Sequence, residues 1–173
     1  MSTWNIDSAH SMVGFKVKHL MVSTVRGSFT GFSGKIESAD DSFENAKVEF
    51  SADAKSISTH NDMRDGHLRS PEFFDVEQFP TLGFVSTGFV KNGDAYTVSG
   101  DLTMHGVTKP VTLTAELGGI GTGMDGKRVV HFAVSGKISR DDFGLTYSAM
   151  LETGGMVVGN EITLDIEVEA VEA

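Results

Sequence analysis

The sequence contains no cysteine, which excludes disulfide bonds, thiolate nucleophiles and metal sites built on sulfur. No apolar run approaches the roughly 18 residues that a membrane-spanning helix needs, so no membrane span is expected. Basic residues are also few: 14 Lys and Arg stand against 24 Asp and Glu, for a formal net charge of -10. Because nucleic-acid phosphates need clustered positive charge, no nucleic-acid partner is expected.

The chain has the length of one domain. Its 173 residues are enough for a substantial core, and no repeat, low-complexity tract or linker divides them, so one domain is expected over residues 1–173. The segment Met1 to Asp7 has neither the basic nor the apolar region of a leader peptide. As written, the sequence predicts a cytoplasmic protein; a periplasmic protein is expected instead if a leader has been removed.

Apolar and polar residues alternate along most of the chain, which is the period of a β-strand with one buried face. Val13, Phe15 and Val17, for example, alternate with Lys16 and Lys18. Hairpin-turn signals such as Asn-Gly-Asp at 92–94 separate such segments. The alternation predicts strands at 13–18, 29–36, 47–54, 82–86, 96–104, 111–117, 130–138 and 162–168.

Eight strands with one apolar face each form either a sandwich or a closed barrel. Glycines inside the strands, such as Gly34, Gly100 and Gly136, indicate bulges or sharp bends where a sheet curls, and curling favours the barrel. Small residues at inward positions, such as Ala52 and Ala115, favour an unfilled interior. The expected fold is therefore all-β, with a cavity inside an eight-stranded antiparallel barrel.

Residues 58–79 break the two-residue period. Thr59 or Asn61 is a suitable cap for a short helix ending at Arg69, and the proline at 71 suits the start of another helical turn. Phe73 and Phe74 give this insertion an apolar side. We expect a short helical lid across one mouth of the barrel.

Four motifs, in order along the chain, resemble the YceI-like family of polyisoprenoid-binding proteins. They are WNIDSAHSMVGFKVKH at 4–19, SIST at 56–59 followed by RDGHLRSPEFFD at 64–75, GDLTMHGVTKPV at 100–111, and RDDFGL at 140–145. The resemblance implies a lipocalin-like barrel that binds an isoprenoid chain, as a polyprenyl phosphate or an isoprenoid quinone. This lipid is expected as cargo rather than as a catalytic cofactor. Several relatives form dimers, so a homodimer is expected.

The resemblance turns the inward apolar residues into candidate lining residues, although each taken singly is also consistent with an ordinary core. The predicted lining is Val13, Phe15, Val17, Phe29, Phe32, Phe50, Ile57, Met63, Leu68, Phe73, Phe74, Phe84, Leu102, Leu113, Phe132, Val134, Ile138 and Leu164.

Arg140 has the same parity as the apolar Ile138, so its guanidinium is expected to point inward at a barrel rim. There it needs either a carboxylate, such as Asp65, Asp75 or Asp141, or the headgroup of a ligand. The same two interpretations apply to the lid residue Arg64. His19 continues the inward parity of β-strand 13–18, which makes it either a core histidine or a headgroup ligand.

His67 is the remaining polar candidate for the headgroup. Together with His60, Asp62 and Asp65 it also forms a sequence-local group of metal-type side chains. On a helix these residues do not share one face, so we expect solvated lid residues and no metal site.

Three functions remain open at this point. The first is a non-enzymatic carrier of an isoprenoid-type amphiphile, which has no catalytic residues. The second is an enzyme acting on such a lipid, with Arg64, His67 and His19 as its polar candidates. The third is a filled barrel that serves as a structural or stress-related interaction module. No Ser-His-Asp arrangement or phosphate-binding glycine loop in a suitable context favours the enzyme.

Overall fold

The computed structural model describes residues 1–19, 23–147 and 158–173. These ranges contain eleven β-strands, one α-helix and two short 3-10 turns at Ala54–Ser56 and Arg140–Phe143. The strands are β1 (Ser2–Ile6), β2 (Met12–His19), β3 (Ser23–Phe29), β4 (Phe32–Ser38), β5 (Lys47–Asp53), β6 (Ile57–Ser58), β7 (Thr81–Asn92), β8 (Ala95–Met104), β9 (Val107–Thr122), β10 (Arg128–Ser139) and β11 (Val158–Glu172), and the helix is α1 (Asp62–Arg69).

The strands form one closed antiparallel barrel. The order β1-β4-β5-β7-β8-β9-β10-β11 returns to β1, which pairs with both β4 and β11. Beyond short breaks, β2 continues β1, β3 continues β4, and β6 continues β5. Like β1, β2 pairs with β11. Strand β3 pairs with β2 and β6, just as β4 pairs with β1 and β5. Counting each broken strand once gives eight, so the predicted eight-stranded barrel with a short helical insertion is confirmed.

Strand β9 is longer than the alternation predicts. The alternation predicts a strand that ends at residue 117, but the glycine-rich stretch from Gly118 onward remains in β9 as far as Thr122. Backbone pairing with β10 extends the strand. The β9–β10 ladder runs from the pair Ser135–Thr114 to the pair Arg128–Thr122 with a single register shift. Glycine weakens side-chain packing without removing backbone hydrogen-bonding groups, so the ladder persists where the apolar pattern stops.

Aromatic side chains close one end of the barrel. Trp4 and Phe43 have no exposed surface, and their rings lie 5.6 Å apart. Phe43 also packs edge-on against Phe132 at 5.1 Å, and Phe89 packs against Tyr96 at 4.9 Å. The Trp4 indole N–H donates to Ser38 Oγ at 3.1 Å, so the buried polar atom of the largest side chain is satisfied.

The other end of the barrel carries α1 and the turn that follows it. Asn61 caps the helix as predicted, since its side-chain oxygen accepts a hydrogen bond from the Arg64 N–H at 3.0 Å. Residues 71–74 form hydrogen-bonded turns rather than a second helical segment. In the described part of the chain, no helix combines the length and apolarity needed to cross a membrane.

Gly100 in β8 allows a close approach of β7, and we expect Gly100→Ala to destabilise the barrel by about 1–3 kcal/mol. A Cβ at this position would lie 2.4 Å from Phe84 Cζ and 2.7 Å from the Val85 carbonyl oxygen, which is backbone and moves only with the strand. The matched control is Gly121→Ala in β9, where no described residue comes within 4 Å of the added methyl group. Urea-unfolding midpoints measure both changes; equal midpoints for the two variants would contradict the packing described.

Candidate ligand-binding cavity

A cavity of about 240 Å³ lies inside the barrel beneath the lid. Its wall comes from the inward faces of the strands, and Leu68, Phe73 and Phe74 of the lid cover it. Among the residues that the structure describes, every residue of the lining except Arg140 is apolar. An engineered apolar cavity of about 150 Å³ already admits benzene, so a space of this size and character suits an apolar molecule better than water.

The structure brings nearly all of the predicted lining residues together around this cavity. Alternation in the strands accounts for most of them, because every second side chain of a β-strand points to the same face. The residues placed at the cavity are Val13, Phe15, Val17, Phe29, Phe32, Phe50, Ile57, Leu68, Phe73, Phe74, Phe84, Leu102, Leu113, Phe132, Val134, Ile138 and Leu164. That they contact a ligand remains a prediction.

Met63 is the exception, and its prediction as a lining residue is wrong. Its side chain is 87% exposed and lies outside the cavity. On an α-helix a residue lies about 200° around the axis from the residue two positions away, and Asp65 is the buried residue of α1. Met63 therefore points away from the barrel, toward solvent.

Sequence reasoning omitted several residues that also line the cavity. Most share the parity of predicted neighbours in the same strand, so a complete reading of the alternation would have included them. Leu145 follows the left-handed Gly144 outside any strand and carried no periodic signal. The additional lining residues are Ile6, Ile36, Val48, Ala52, Leu82, Gly83, Phe89, Val98, Met104, Val111, Ala115, Leu145, Ile162, Ile166 and Val168.

Arg140 is the one polar residue in the described part of the lining, and only 3% of its surface is exposed. It begins the 3-10 turn that follows β10. Its Nε donates to the Gly159 carbonyl oxygen at 2.9 Å, and Nη1 donates to the carbonyl oxygens of Leu145 at 2.9 Å and Tyr147 at 2.7 Å. The guanidinium therefore fastens residues 145–147 and the start of β11 to the end of β10.

The predicted carboxylate partners on the lid do not pair with Arg140. Asp65 accepts hydrogen bonds from Thr59, and Asp75 accepts one from Gln78 at 2.7 Å. The lid contact of Arg140 is instead the Phe73 ring, whose centroid lies 6.0 Å from the guanidinium carbon. Burial lowers the pKa of Arg140, and the neighbouring Asp141 carboxylate opposes part of this effect.

Arg64 and His67 lie outside the cavity lining, so the structure does not support their predicted role at a ligand headgroup. Arg64 donates from Nε to Thr59 Oγ1 at 2.7 Å and from Nη2 to the Thr59 carbonyl oxygen at 2.9 Å. His67 pairs with Glu72 at 2.7 Å on the exposed side of the lid. Both residues fix the lid itself. The side chain of the fourth candidate, His19 at the end of β2, lies outside the described part of the structure.

Asp65 holds α1 to the strand before it, and we expect Asp65→Ala to loosen the lid. Asp65 Oδ1 accepts from the Thr59 N–H at 2.8 Å and from Thr59 Oγ1 at 2.5 Å, in a buried position. Removal of the carboxylate leaves these donors unsatisfied, at a cost of about 1–3 kcal/mol. Amide hydrogen exchange in residues 62–69 should accelerate by about tenfold or more. The control is Asp62→Ala, at an exposed position of the same helix. Equal acceleration of amide exchange in both variants would show that Asp65 does not hold α1 in place.

A closed antiparallel barrel with an apolar interior and a helical lid is the architecture of small β-barrels that enclose one ligand. The chain belongs to the YceI-like family, whose domain model matches residues 4–170. The resemblance seen in the four sequence motifs is thereby confirmed.

The relatives cover nearly the full chain. A UPF0312 protein of Staphylococcus aureus is 36% identical over 170 residues, which are 98% of this chain and 97% of that protein. A Campylobacter jejuni YCEI protein superposes with a TM-score of 0.77 at 36% identity, with 96% of each chain covered.

Two more distant structures share the fold. BcnA of Burkholderia cenocepacia has a TM-score of 0.82 at 22% identity, covering 95% of this chain and 98% of that one. A polyisoprenoid-binding domain of Saccharophagus degradans, implicated in plant cell wall breakdown, has a TM-score of 0.70 at 16% identity, covering 98% of both chains. Family membership and the apolar cavity together support a role in binding a hydrophobic ligand.

Proposed function

We propose that this protein is a non-enzymatic carrier or store for one isoprenoid-type amphiphile, either a polyprenyl phosphate or an isoprenoid quinone. The observation that supports the proposal is the cavity of about 240 Å³, whose described lining residues are apolar except for Arg140. The polyisoprenoid-binding domain of Saccharophagus degradans shares the fold and supports this class of cargo.

The cavity favours a ligand whose affinity comes mainly from its tail. Each isoprene unit has five carbons, and at about 0.8 kcal/mol per buried CH₂ it contributes roughly 4 kcal/mol before the costs of association. The lining offers little to a hydrophilic molecule, which would lose its hydration without gaining hydrogen bonds.

We expect the tail to point toward the aromatic end of the barrel and the head to lie near Arg140. Phe89 and Phe132 belong both to the cavity lining and to the aromatic cluster that closes this end. Arg140 lies at the opposite end, close to Leu145 and Phe73 of the lining. It is the one group of the described lining that interacts favourably with a phosphate or a quinone carbonyl.

The lining also favours a carrier over an enzyme. Arg140 is its one ionisable residue among the residues described, and a guanidinium does not act as a general base at neutral pH. The enzyme hypothesis relied on Arg64, His67 and His19, of which the first two hold the lid from outside the lining. The existence of a cavity likewise disfavours the filled barrel.

A thermal-shift series tests the proposal. The protein is first stripped of lipid, and its melting temperature is measured with a polyprenyl phosphate, an isoprenoid quinone, the free polyprenol and a straight-chain fatty acid. We expect the isoprenoid ligands to raise the melting temperature in a concentration-dependent way, since a ligand that binds only the folded state stabilises it. No shift with any isoprenoid, or chemical conversion of the bound ligand over time, would overturn the carrier proposal.

The homodimer and the cellular compartment stay predictions. Sedimentation equilibrium with and without the isoprenoid quinone tests the homodimer, because a dimer has twice the molar mass of the monomer.

A further inference from the structure

A cluster of imidazole and carboxylate groups lies on the outside of the barrel. Asp7 follows β1 and His10 precedes β2, while His131 and Glu169 belong to β10 and β11. His131 lies between the buried Val130 and Phe132, so its side chain points outward. None of the four residues belongs to the cavity lining.

Three of the four residues bring ligand-type atoms close together, and the fourth lies beside them. His10 Nδ1 lies 2.8 Å from Asp7 Oδ2 and 3.8 Å from Glu169 Oε1. His131 Nε2 approaches the other oxygen of the same carboxylate, Glu169 Oε2, at 3.6 Å. One atom each from Asp7, His10 and Glu169 fall within 4.8 Å of one another, and His131 lies outside this group, beside Glu169. Two imidazoles therefore flank one carboxylate.

Backbone hydrogen bonds position the four residues. The Asp7 N–H donates to the Glu169 carbonyl oxygen at 2.8 Å, and Glu169 is the direct cross-strand partner of His131. The Glu169 N–H donates to Ser11 Oγ at 2.9 Å, and that hydroxyl group also donates to the Glu169 carbonyl oxygen at 3.2 Å. The cluster is thus held where the break between β1 and β2 meets β11.

A purely structural role explains only part of this arrangement. Asp7 stabilises its own turn, since Oδ1 accepts the Ala9 N–H at 2.9 Å, and Oδ2 pairs with His10. The distances from Glu169 to the two imidazoles, 3.8 and 3.6 Å, are too long for hydrogen bonds. Donor atoms that bind a tetrahedral zinc ion at about 2.0–2.2 Å are about 3.4 Å apart, which is close to both separations. The 2.8 Å hydrogen bond between Asp7 and His10 is shorter, so an ion must replace this bond when it binds.

The His131 side chain has open space on the β9 side of its strand. The cross-strand neighbour of His131 in β9 is Gly119, at a register shift between His131 and Phe132. No atom of the described residues lies within 4 Å of the position where a Gly119 side chain would start.

We propose that Asp7, His10 and Glu169, joined by His131 when its side chain turns toward them, form a binding site for one divalent transition-metal ion of the zinc type. Two imidazole and two carboxylate ligands suit zinc better than calcium or magnesium, which prefer all-oxygen sites. The ion joins the break between β1 and β2 to β10 and β11, which is the seam where the barrel closes. Its role is to fasten this seam, so the site is independent of the proposed cargo.

Calorimetric titration of the chelator-treated protein with ZnCl₂ tests the site. We expect one ion per chain and a melting temperature that rises with zinc. His10→Gln and His131→Gln should each weaken binding at least tenfold, and the double variant should abolish it. His67→Gln is the matched control, because His67 also pairs with a carboxylate, Glu72, but outside the cluster.

Cobalt provides a second readout that does not depend on stability. Co²⁺ bound in a tetrahedral site gives intense visible absorption, which His131→Gln should remove. Glu169→Gln preserves side-chain size and the backbone hydrogen bonds, so a loss of the band there supports coordination even if the histidine variants fold poorly. Absence of zinc binding by the wild-type protein, or equal binding by the wild type and the double variant, would overturn the proposal.

Discussion

Val134→Trp is expected to weaken binding of an isoprenoid quinone by at least tenfold, which corresponds to about 1.4 kcal/mol or more. Val134 lines the cavity from β10, between its cross-strand partners Ala115 and Ile166. An indole ring at this position occupies space that the tail needs, and the close-packed strands on both sides leave it no other direction.

Ser135→Trp provides the matched control, because the next residue of the same strand points to the outside and is exposed. Its quinone affinity should equal that of the wild type. Displacement of a fluorescent lipid measures both variants, and circular dichroism confirms that each is folded. Wild-type affinity in a folded Val134→Trp protein would locate the tail outside this cavity.

Arg140→Met is expected to lower the free energy of unfolding by roughly 3 kcal/mol. The substitution keeps most of the hydrophobic stem but removes the donors to the carbonyl oxygens of Gly159, Leu145 and Tyr147. A buried polar group left without a partner costs about 1–3 kcal/mol, less where water reaches it. We expect the turn after β10 to detach from β11 first.

Urea unfolding of Arg140→Met and of the control Arg26→Met measures this effect. Arg26 is exposed on β3, so its replacement should change the stability by no more than about 0.5 kcal/mol. Arg140→Lys should recover little, since an ammonium group cannot reproduce the planar array of donors. A shift for Arg140→Met as small as that for Arg26→Met would show that the carbonyl contacts contribute nothing.

The barrel and most of its lining follow from the two-residue alternation, which depends only on backbone geometry. Val13, Phe15 and Val17 point to the cavity because every second residue of a strand must do so. The short helix was also predictable, since Asn61 is a strong capping residue placed just before α1.

Contacts between distant segments were not predictable in this way. Phe43 lies outside the strands with a positive φ of 56°, yet it packs between Trp4 and Phe132 at the closed end. Met63 was placed at the cavity by apolarity alone, although the helix turns it outward. Local pattern reports which face a residue occupies within its element, whereas tertiary packing decides what that face meets.

The outer cluster illustrates the same limit. Asp7 and His10 are close in sequence, and each has an ordinary role in a turn. Their approach to Glu169 and His131 arises only when β1 closes the barrel against β11. Such a site carries no local spacing motif, so it emerges from strand order and register alone.

Native mass spectrometry of the purified protein, followed by organic extraction, tests the central claim most directly. The proposed function predicts one apolar molecule per folded chain, with an isoprenoid tail identified in the extract. A chain that is empty when purified, and that stays empty after incubation with both a polyprenyl phosphate and an isoprenoid quinone, would contradict it.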